Sequence, residues 1–227
     1  MRVAAVIPAA GRGARLKSKS PKAFVNVLGR PLLARTLDSL LNAYPFDEVL
    51  VMVDPAHVLK ARQLLKREGF KQVRVEAGGP TRAESVKRGV LALNGRASWV
   101  LVHDAARPLI DKRTVARTLK AARASGAALC VSPVIATVKK LGPSRDVVLG
   151  TEDRQRLCLA QTPQVFRRDL LLSRYRVLGQ KALEATDEAA LFDRSPVRVR
   201  VVEGSPRNLK VTTPEDLDLL KYYLRSF

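Results

Sequence analysis

"VAAVIPAAGRGARLKSKSPK", residues 3–22, is an apolar run that passes directly into a loop with two glycines, five basic residues and no acid. The run Val3–Ile7 is too short for a helix and has the composition of a buried strand. Gly11 and Gly13 follow it, then Arg15 and, after Pro21, Lys22. Glycines allow backbone N–H groups to face an anion, and the cations add full charges at separate points. A solvated surface loop needs neither. A strand that opens into such a loop is expected where an α/β sheet presents its ligand, outside the carboxyl ends of its strands.

The rest of the chain continues that pattern. Apolar, β-branched runs recur at Glu48–Val53, Val73–Glu76, Trp99–His103 and Ala127–Val134. Between them lie segments with helical periodicity. Leu32, Leu33, Thr36, Leu37, Leu40 and Leu41 share one face, as do Val58, Leu59, Ala61, Leu64 and Leu65. Val86, Val90 and Leu93 form another such face, and Val115, Leu119 and Ala122 a fourth. Strand–helix alternation predicts an α/β, Rossmann-like fold with a mostly parallel sheet covered on both faces, hence three layers. The rhythm breaks at residues 137–161, where Gly142-Pro143 and Leu149-Gly150 separate short, charged, alternating stretches. That spacing predicts a projecting β-hairpin arm. Helices are expected at Arg168–Tyr175 and near Asp187–Phe192, and a strand at Val197–Val202. The last helix starts with Thr213 as N-cap, Pro214 in its first position and Asp216 completing the cap. Residues 1–227 read as a single domain with an arm, since neither a repeat nor a linker interrupts them.

Composition narrows the partners. The chain has 41 Lys and Arg against 21 Asp and Glu, a net charge of +20, which predicts attraction to polyanions such as nucleotides, phosphorylated metabolites or nucleic acid. Only 5% of residues are aromatic and no base-stacking motif is present, so specific nucleic-acid binding is not expected. Salt-dependent, non-specific binding would follow from charge alone. No apolar run has the length of a membrane span, and Pro8 interrupts the only stretch resembling a signal peptide. Cys130 and Cys158 lack metal-ligand spacing and read as reduced thiols of a cytoplasmic protein.

Two familiar phosphate-binding motifs nearly fit the opening loop and fail on one residue. Both the dinucleotide fingerprint and the P-loop require a glycine where Leu16 stands. What remains is Ala9-Ala10-Gly11-x-Gly13-x-Arg15, then Lys22 preceded by proline. That pattern is similar to the nucleotidyltransferases that make NDP-sugars and CDP-alcohols. "GGPTRAESV" (78–86), "VHDAARP" (102–108), "LAQTPQVF" (159–166) with "ATDEAA" (185–190), and "NLKVTTPEDL" (208–217) narrow it further. Together, in this order, they resemble the 2-C-methyl-D-erythritol 4-phosphate cytidylyltransferase family of the non-mevalonate isoprenoid pathway.

The resemblance implies transfer of CMP from CTP to a polyol phosphate with release of pyrophosphate, chemistry that depends on positioning and charge. It implies Arg15 and Lys22 as catalytic cations. Ala9, Ala10, Gly11, Gly13, Gly79, Arg82, Ser85, Asp104 and Arg107 would contact the nucleotide. Asp104 would also hold Mg²⁺, or another divalent cation, bound to CTP. Thr137, Arg154, Thr162, Thr186 and Lys210 would serve the second substrate. Since Thr137 and Arg154 lie on the arm, the resemblance further implies a homodimer in which the arm reaches the neighbouring site. Two departures stand out: Pro80 replaces an acid frequent in the family, and Arg207 stands where some relatives carry Asp or Glu. A ribitol 5-phosphate cytidylyltransferase would share the loop, the base segment and the arm.

Overall fold

A computed structural model describes residues 1–11, 13–18 and 20–226. Its strands are β1 (Val3–Pro8), β2 (Asn26–Val27), β3 (Arg30–Pro31), β4 (Glu48–Val53), β5 (Val73–Ala77), β6 (Trp99–Val102), β7 (Ala127–Pro133), β8 (Val138–Leu141), β9 (Val148–Glu152), β10 (Cys158–Arg167) and β11 (Arg200–Glu203). The α-helices are α1 (Leu32–Ala43), α2 (Val58–Arg67), α3 (Arg82–Ala92), α4 (Lys112–Ser125), α5 (Arg168–Leu178) and α6 (Pro214–Arg225).

Seven strands form one sheet in the order β11-β7-β10-β6-β1-β4-β5. All neighbours are parallel except β10, which runs antiparallel to both β6 and β7. Alternate residues of β1 face opposite sides, as the pleat requires. Val3, Ala5 and Ile7 pack with Leu33 and Leu37 of α1, Ala61 of α2 and Leu119 of α4. Ala4 and Val6 pack with Val86 and Val90 of α3 and Leu171 of α5. The expected three layers follow from that alternation. The sheet order reverses at β1, since β4 and β5 lie to one side of it and β6 to the other. Ligands bind at such switch points, beyond the carboxyl ends of the strands.

Four readings of the sequence are corrected. The stretch 159–166 was not foreseen as a strand, yet β10 occupies the sheet's interior. Its Pro163 cannot donate to a ladder, and the pairing register shifts between Ala160 and Gln164. Strand alternation is therefore lost in the sequence. The arm is correspondingly shorter than residues 137–161: β8 and β9 pair as a two-stranded ribbon, while Cys158 onward joins the main sheet. Near Asp187–Phe192 there is a 3₁₀ turn over Ala189–Phe192 and no α-helix. Asp187 accepts the Ala190 N–H at 3.0 Å and Phe192 stacks on Phe166 at 5.3 Å, which fixes the short turn. The expected strand at 197–202 pairs only from Arg200. The last helix carries both halves of the foreseen capping box, Thr213 with Asp216.

Candidate active site

Beyond the carboxyl ends of β1 and β6 lies a cavity of about 220 Å³. Pro8, Ala9, Ala10 and Gly11 form one wall, Lys22 and Ala23 a second, Gly79 to Arg82 with Ser85 a third, and Asp104 to Ala106 with Lys210 close it. Five separate segments thus converge on one space.

The opening loop is anchored by the residue that disqualified it as a P-loop. Leu16 is buried in an apolar cluster with Val27, Leu32, Ala106, Val211 and Leu220 of α6. Gly13 adopts φ of +67°, and a Cβ there would stand 2.7 Å from the Lys22 Cβ. Only glycine combines that backbone with so close an approach. Gly13 therefore lets the two ends of the loop meet while Lys22 turns to the cavity. Arg15 is exposed and does not line the cavity.

The 78–85 wall is similarly built by close approach. The Ser85 hydroxyl accepts the Gly79 N–H at 3.0 Å and lies 2.9 Å from the Thr81 carbonyl oxygen. A Cβ on Gly78 would stand 2.7 Å from that hydroxyl oxygen. Thr81 caps α3 by accepting the Glu84 N–H. Ser85 thus shapes the loop from within.

Asp104 is 6% exposed and surrounded by cations. Arg82 Nε donates to its Oδ1 at 3.0 Å, Lys210 Nζ lies 2.6 Å from Oδ2, and Arg107 Nε is 3.8 Å from Oδ2. Burial alone would raise its pKa, but Arg82, Lys210 and Arg107 hold it well below the usual carboxylate range. Lys22 experiences the opposite. Burial and the Lys210 charge lower it from 10.5 to about 8, with Asp104 pulling the other way. Arg82 continues to a second carboxylate: its Nη1 lies 3.0 Å from both oxygens of Glu188. Burial pushes the Glu188 carboxyl up, and Arg82 opposes that shift.

A neutral chain of hydrogen bonds supports the loop behind Asp104. The Asp104 N–H donates to Thr162 Oγ1 at 3.0 Å, and Thr162 Oγ1 lies 3.1 Å from His103 Nδ1. His103 Nε2 is 3.0 Å from the Arg107 carbonyl, which can only accept. The proton must therefore sit on Nε2, leaving Nδ1 to accept from Thr162. Burial lowers the His103 pKa to about 4, which keeps the ring neutral. Arg107 is buried outside the cavity lining and donates to the Asn208 carbonyl at 2.7 Å. Asn208 in turn donates to Gln161 Oε1 and to the Thr162 carbonyl.

The sequence candidates therefore divide into groups. Ala9, Ala10, Gly11, Lys22, Gly79, Arg82, Ser85, Asp104 and Lys210 line one cavity. Gly13, Arg107 and Thr162 support it from behind. Thr186 is exposed and outside the lining. Thr137 and Arg154 are also exposed outside it, on the arm, where Arg154 donates to the Ile135 carbonyl. Sequence reasoning missed Glu188 and Asn208, although both stand inside quoted motifs. A buried-type acid within "ATDEAA", with no neighbouring base to neutralise it, was the available signal. Among the described residues, no three metal-ligating side chains cluster. Arg207 lies over the Tyr223 ring, 5.7 Å from its centroid.

Known proteins share this sequence and fold. The family model for 2-C-methyl-D-erythritol 4-phosphate cytidylyltransferase matches residues 3–226. A protein of that name from Acidobacterium capsulatum is 38% identical over 234 residues, covering 99% of this chain and 98% of its own. The crystal structure of 4-diphosphocytidyl-2C-methyl-D-erythritol synthase from Anaerococcus prevotii superposes with a TM-score of 0.84 at 28% identity, covering 99% and 98% of the two chains. That of 2-C-methyl-D-erythritol 4-phosphate cytidylyltransferase from Thermus thermophilus gives 0.79 at 35%, covering 99% and 100%.

Proposed function

The chain belongs to the 2-C-methyl-D-erythritol 4-phosphate cytidylyltransferase family, and on that premise we propose how its residues perform the reaction. The substrates are CTP and 2-C-methyl-D-erythritol 4-phosphate; the products are 4-diphosphocytidyl-2-C-methyl-D-erythritol and pyrophosphate, within the isoprenoid pathway. A phosphate oxygen of the polyol substrate forms a bond to the α-phosphorus of CTP. The bond from that phosphorus to the β-phosphate bridging oxygen breaks, and pyrophosphate leaves. Positioning and charge stabilisation supply most of the catalysis in such transfers.

The observation that carries this reading is the convergence of Lys22, Lys210, Arg82 and Asp104 on one cavity beside Gly79. Lys22 holds the triphosphate and stabilises charge building on the transferred group, with Arg15 at the loop's outer end, and Lys210 beside it reaches the polyol phosphate. The 78–85 wall accepts the base, its close-packed Gly78 and Gly79 leaving room for a pyrimidine. Asp104 fits a magnesium site that supplies one carboxylate and takes its other ligands from CTP phosphates and water. Its carboxylate is held ionised at the cavity wall, and its Lys210 partner has an exposed side chain that can yield the Oδ2 oxygen. Magnesium there would neutralise the phosphates and polarise the α-phosphorus.

Thr137 and Arg154, with Thr186, serve the polyol phosphate in a homodimer, the arm of one protomer reaching the partner's cavity. In support, Ile135, Val147, Val148, Leu149, Leu157 and Leu159 are exposed on and beside the arm. Isolated apolar residues need no partner, but a group of this kind points to an interface. We place the enzyme in the cytoplasm; among the described residues, no helix is long and apolar enough to cross a membrane.

The test is pyrophosphate release from each of the four nucleoside triphosphates with 2-C-methyl-D-erythritol 4-phosphate and, separately, ribitol 5-phosphate. Turnover with CTP and the methylerythritol substrate is expected. Equal use of all four nucleotides would refute the base site, and preference for ribitol phosphate would refute the second substrate.

A further inference from the structure

Glu188 is buried outside the cavity lining and is joined to the cavity wall through Arg82. It is 1% exposed, and its carboxylate receives Arg82 Nη1 at 3.0 Å on both oxygens. Arg82 Nε donates at 3.0 Å to Asp104 Oδ1. The guanidinium therefore bridges two carboxylates through two different nitrogens, which fixes its plane at both ends. Glu188 is itself held firmly. Gln164 of β10 accepts the Ala189 N–H at 3.1 Å and donates to Asp187 Oδ2 at 2.8 Å, so the strand beside Asp104 also carries the segment that presents Glu188.

Arg82 needs such a second anchor. It is the first residue of α3, where a helix's N-terminal N–H groups disfavour a positive charge. With Asp104 as its sole acceptor, the side chain could pivot about that contact. Nη1 would then compete for Asp104 Oδ2, the oxygen now facing Lys210 and, in the proposed reaction, the magnesium–nucleotide complex. With Nη1 occupied by Glu188, Arg82 reaches only Oδ1.

We propose that Glu188 is a positioning residue for cytidylyl transfer, acting through Arg82 to hold Asp104 with one oxygen free for the reaction. The inference rests on the assignment of Asp104 and Arg82 to the nucleotide site. A purely structural Glu188 would neutralise a buried cation and do nothing more.

The two roles separate in a double-mutant cycle on kcat/KM for CTP. Glu188→Gln keeps the shape of the side chain and removes its charge. Outer partners of a metal or phosphate site typically contribute ~10–100-fold to activity, and a loss of that size is expected in folded Glu188→Gln. Arg82→Met is expected to be impaired as well. The double variant should be no worse than Arg82→Met alone, because Glu188 has then lost the residue it acts through. It should also melt higher than Glu188→Gln, since removing both members of a buried pair leaves no stranded charge.

If Glu188→Gln does not fold, Glu188→Asp takes its place in the same cycle, keeping the charge but withdrawing it by one methylene. Full activity in a folded Glu188 variant, alongside an impaired Arg82→Met, would overturn the proposal. So would losses that multiply in the double variant. Full activity of Arg82→Met would instead refute the assignment of the nucleotide site itself, a separate failure.

Discussion

Replacing Lys22 by methionine should make the protein more stable and nearly inactive. In the folded chain the Lys22 pKa falls from 10.5 to about 8, because the ammonium is partly buried and faces Lys210. At ~1.4 kcal/mol per unit, keeping it charged below pH 8 costs the folded state ~3 kcal/mol. The side chain is only half-buried, so solvent screening reduces that to ~1–2 kcal/mol. The sign follows from proton counting. Between about pH 8 and 10.5 the unfolded chain binds the extra proton, so wild-type stability from this group rises with pH across that window. The penalty is fully present at pH 7 and gone above the unfolded value.

Methionine nearly matches the lysine stem in length and never carries the charge. Lys22→Met should therefore raise Tm by ~2–8 °C at pH 7, using ~2–4 °C per kcal/mol for a chain of this size. The gain should shrink to less than roughly half by pH 9.5. Meanwhile kcat should fall ~10²–10³-fold, as when one preorganised charge stabiliser is removed. Thermal melts of both proteins across pH, with steady-state rates at pH 7, make the comparison. An unchanged or lower Tm at pH 7 would refute the unfavourable charge. A gain constant with pH would assign it to packing. In the wild type, kcat/KM for CTP should fall above about pH 8 as Lys22 deprotonates in the free enzyme.

Asp104→Asn should weaken magnesium dependence and lower stability, because Arg82, Lys210 and Arg107 lose their shared counter-ion. An unchanged magnesium titration would refute the ligand role; the stability deficit against wild type should narrow as pH falls below the usual carboxylate range. Mixing inactive Lys22→Ala and Arg154→Ala protomers should restore roughly a quarter of wild-type activity, since about half the dimers are mixed and each has one intact site. No recovery after subunit exchange would place both residues in one chain's site.

The periodic part of the fold was legible because burial imposes its period on the sequence. Val3–Ile7 and Glu48–Val53 are continuous apolar runs, as strands covered on both faces must be, and α1 and α4 show one apolar face each. Of the cavity's walls, only the opening loop was legible in its own residues, glycines and cations at the end of a buried strand, while Gly79, Arg82, Ser85, Asp104 and Lys210 were assigned by resemblance. What periodicity could not convey is which distant segments meet. Arg82, Asp104, Glu188 and Lys210 come from four parts of the chain, and their ion pairs depend on sheet order alone. Arg154 was assigned by resemblance, and its place on an exposed arm follows from a hairpin the turn residues did announce.

The missed strand and the missed site residues have one cause. β10 was hidden because Gln161, Thr162, Pro163 and Gln164 interrupt its apolar pattern, and these residues organise the cavity. Thr162 takes the Asp104 N–H, Gln161 takes Asn208, and Gln164 holds the turn that presents Glu188. Buried in an apolar sheet, such groups are costly unless each finds a partner. They find one another only if β10 lies antiparallel between β6 and β7, beside the loop carrying Asp104. The local rule for strands is broken where the sheet must present polar groups to a site. A polar, proline-bearing interruption flanked by apolar residues is therefore a signal for a strand that builds an active site.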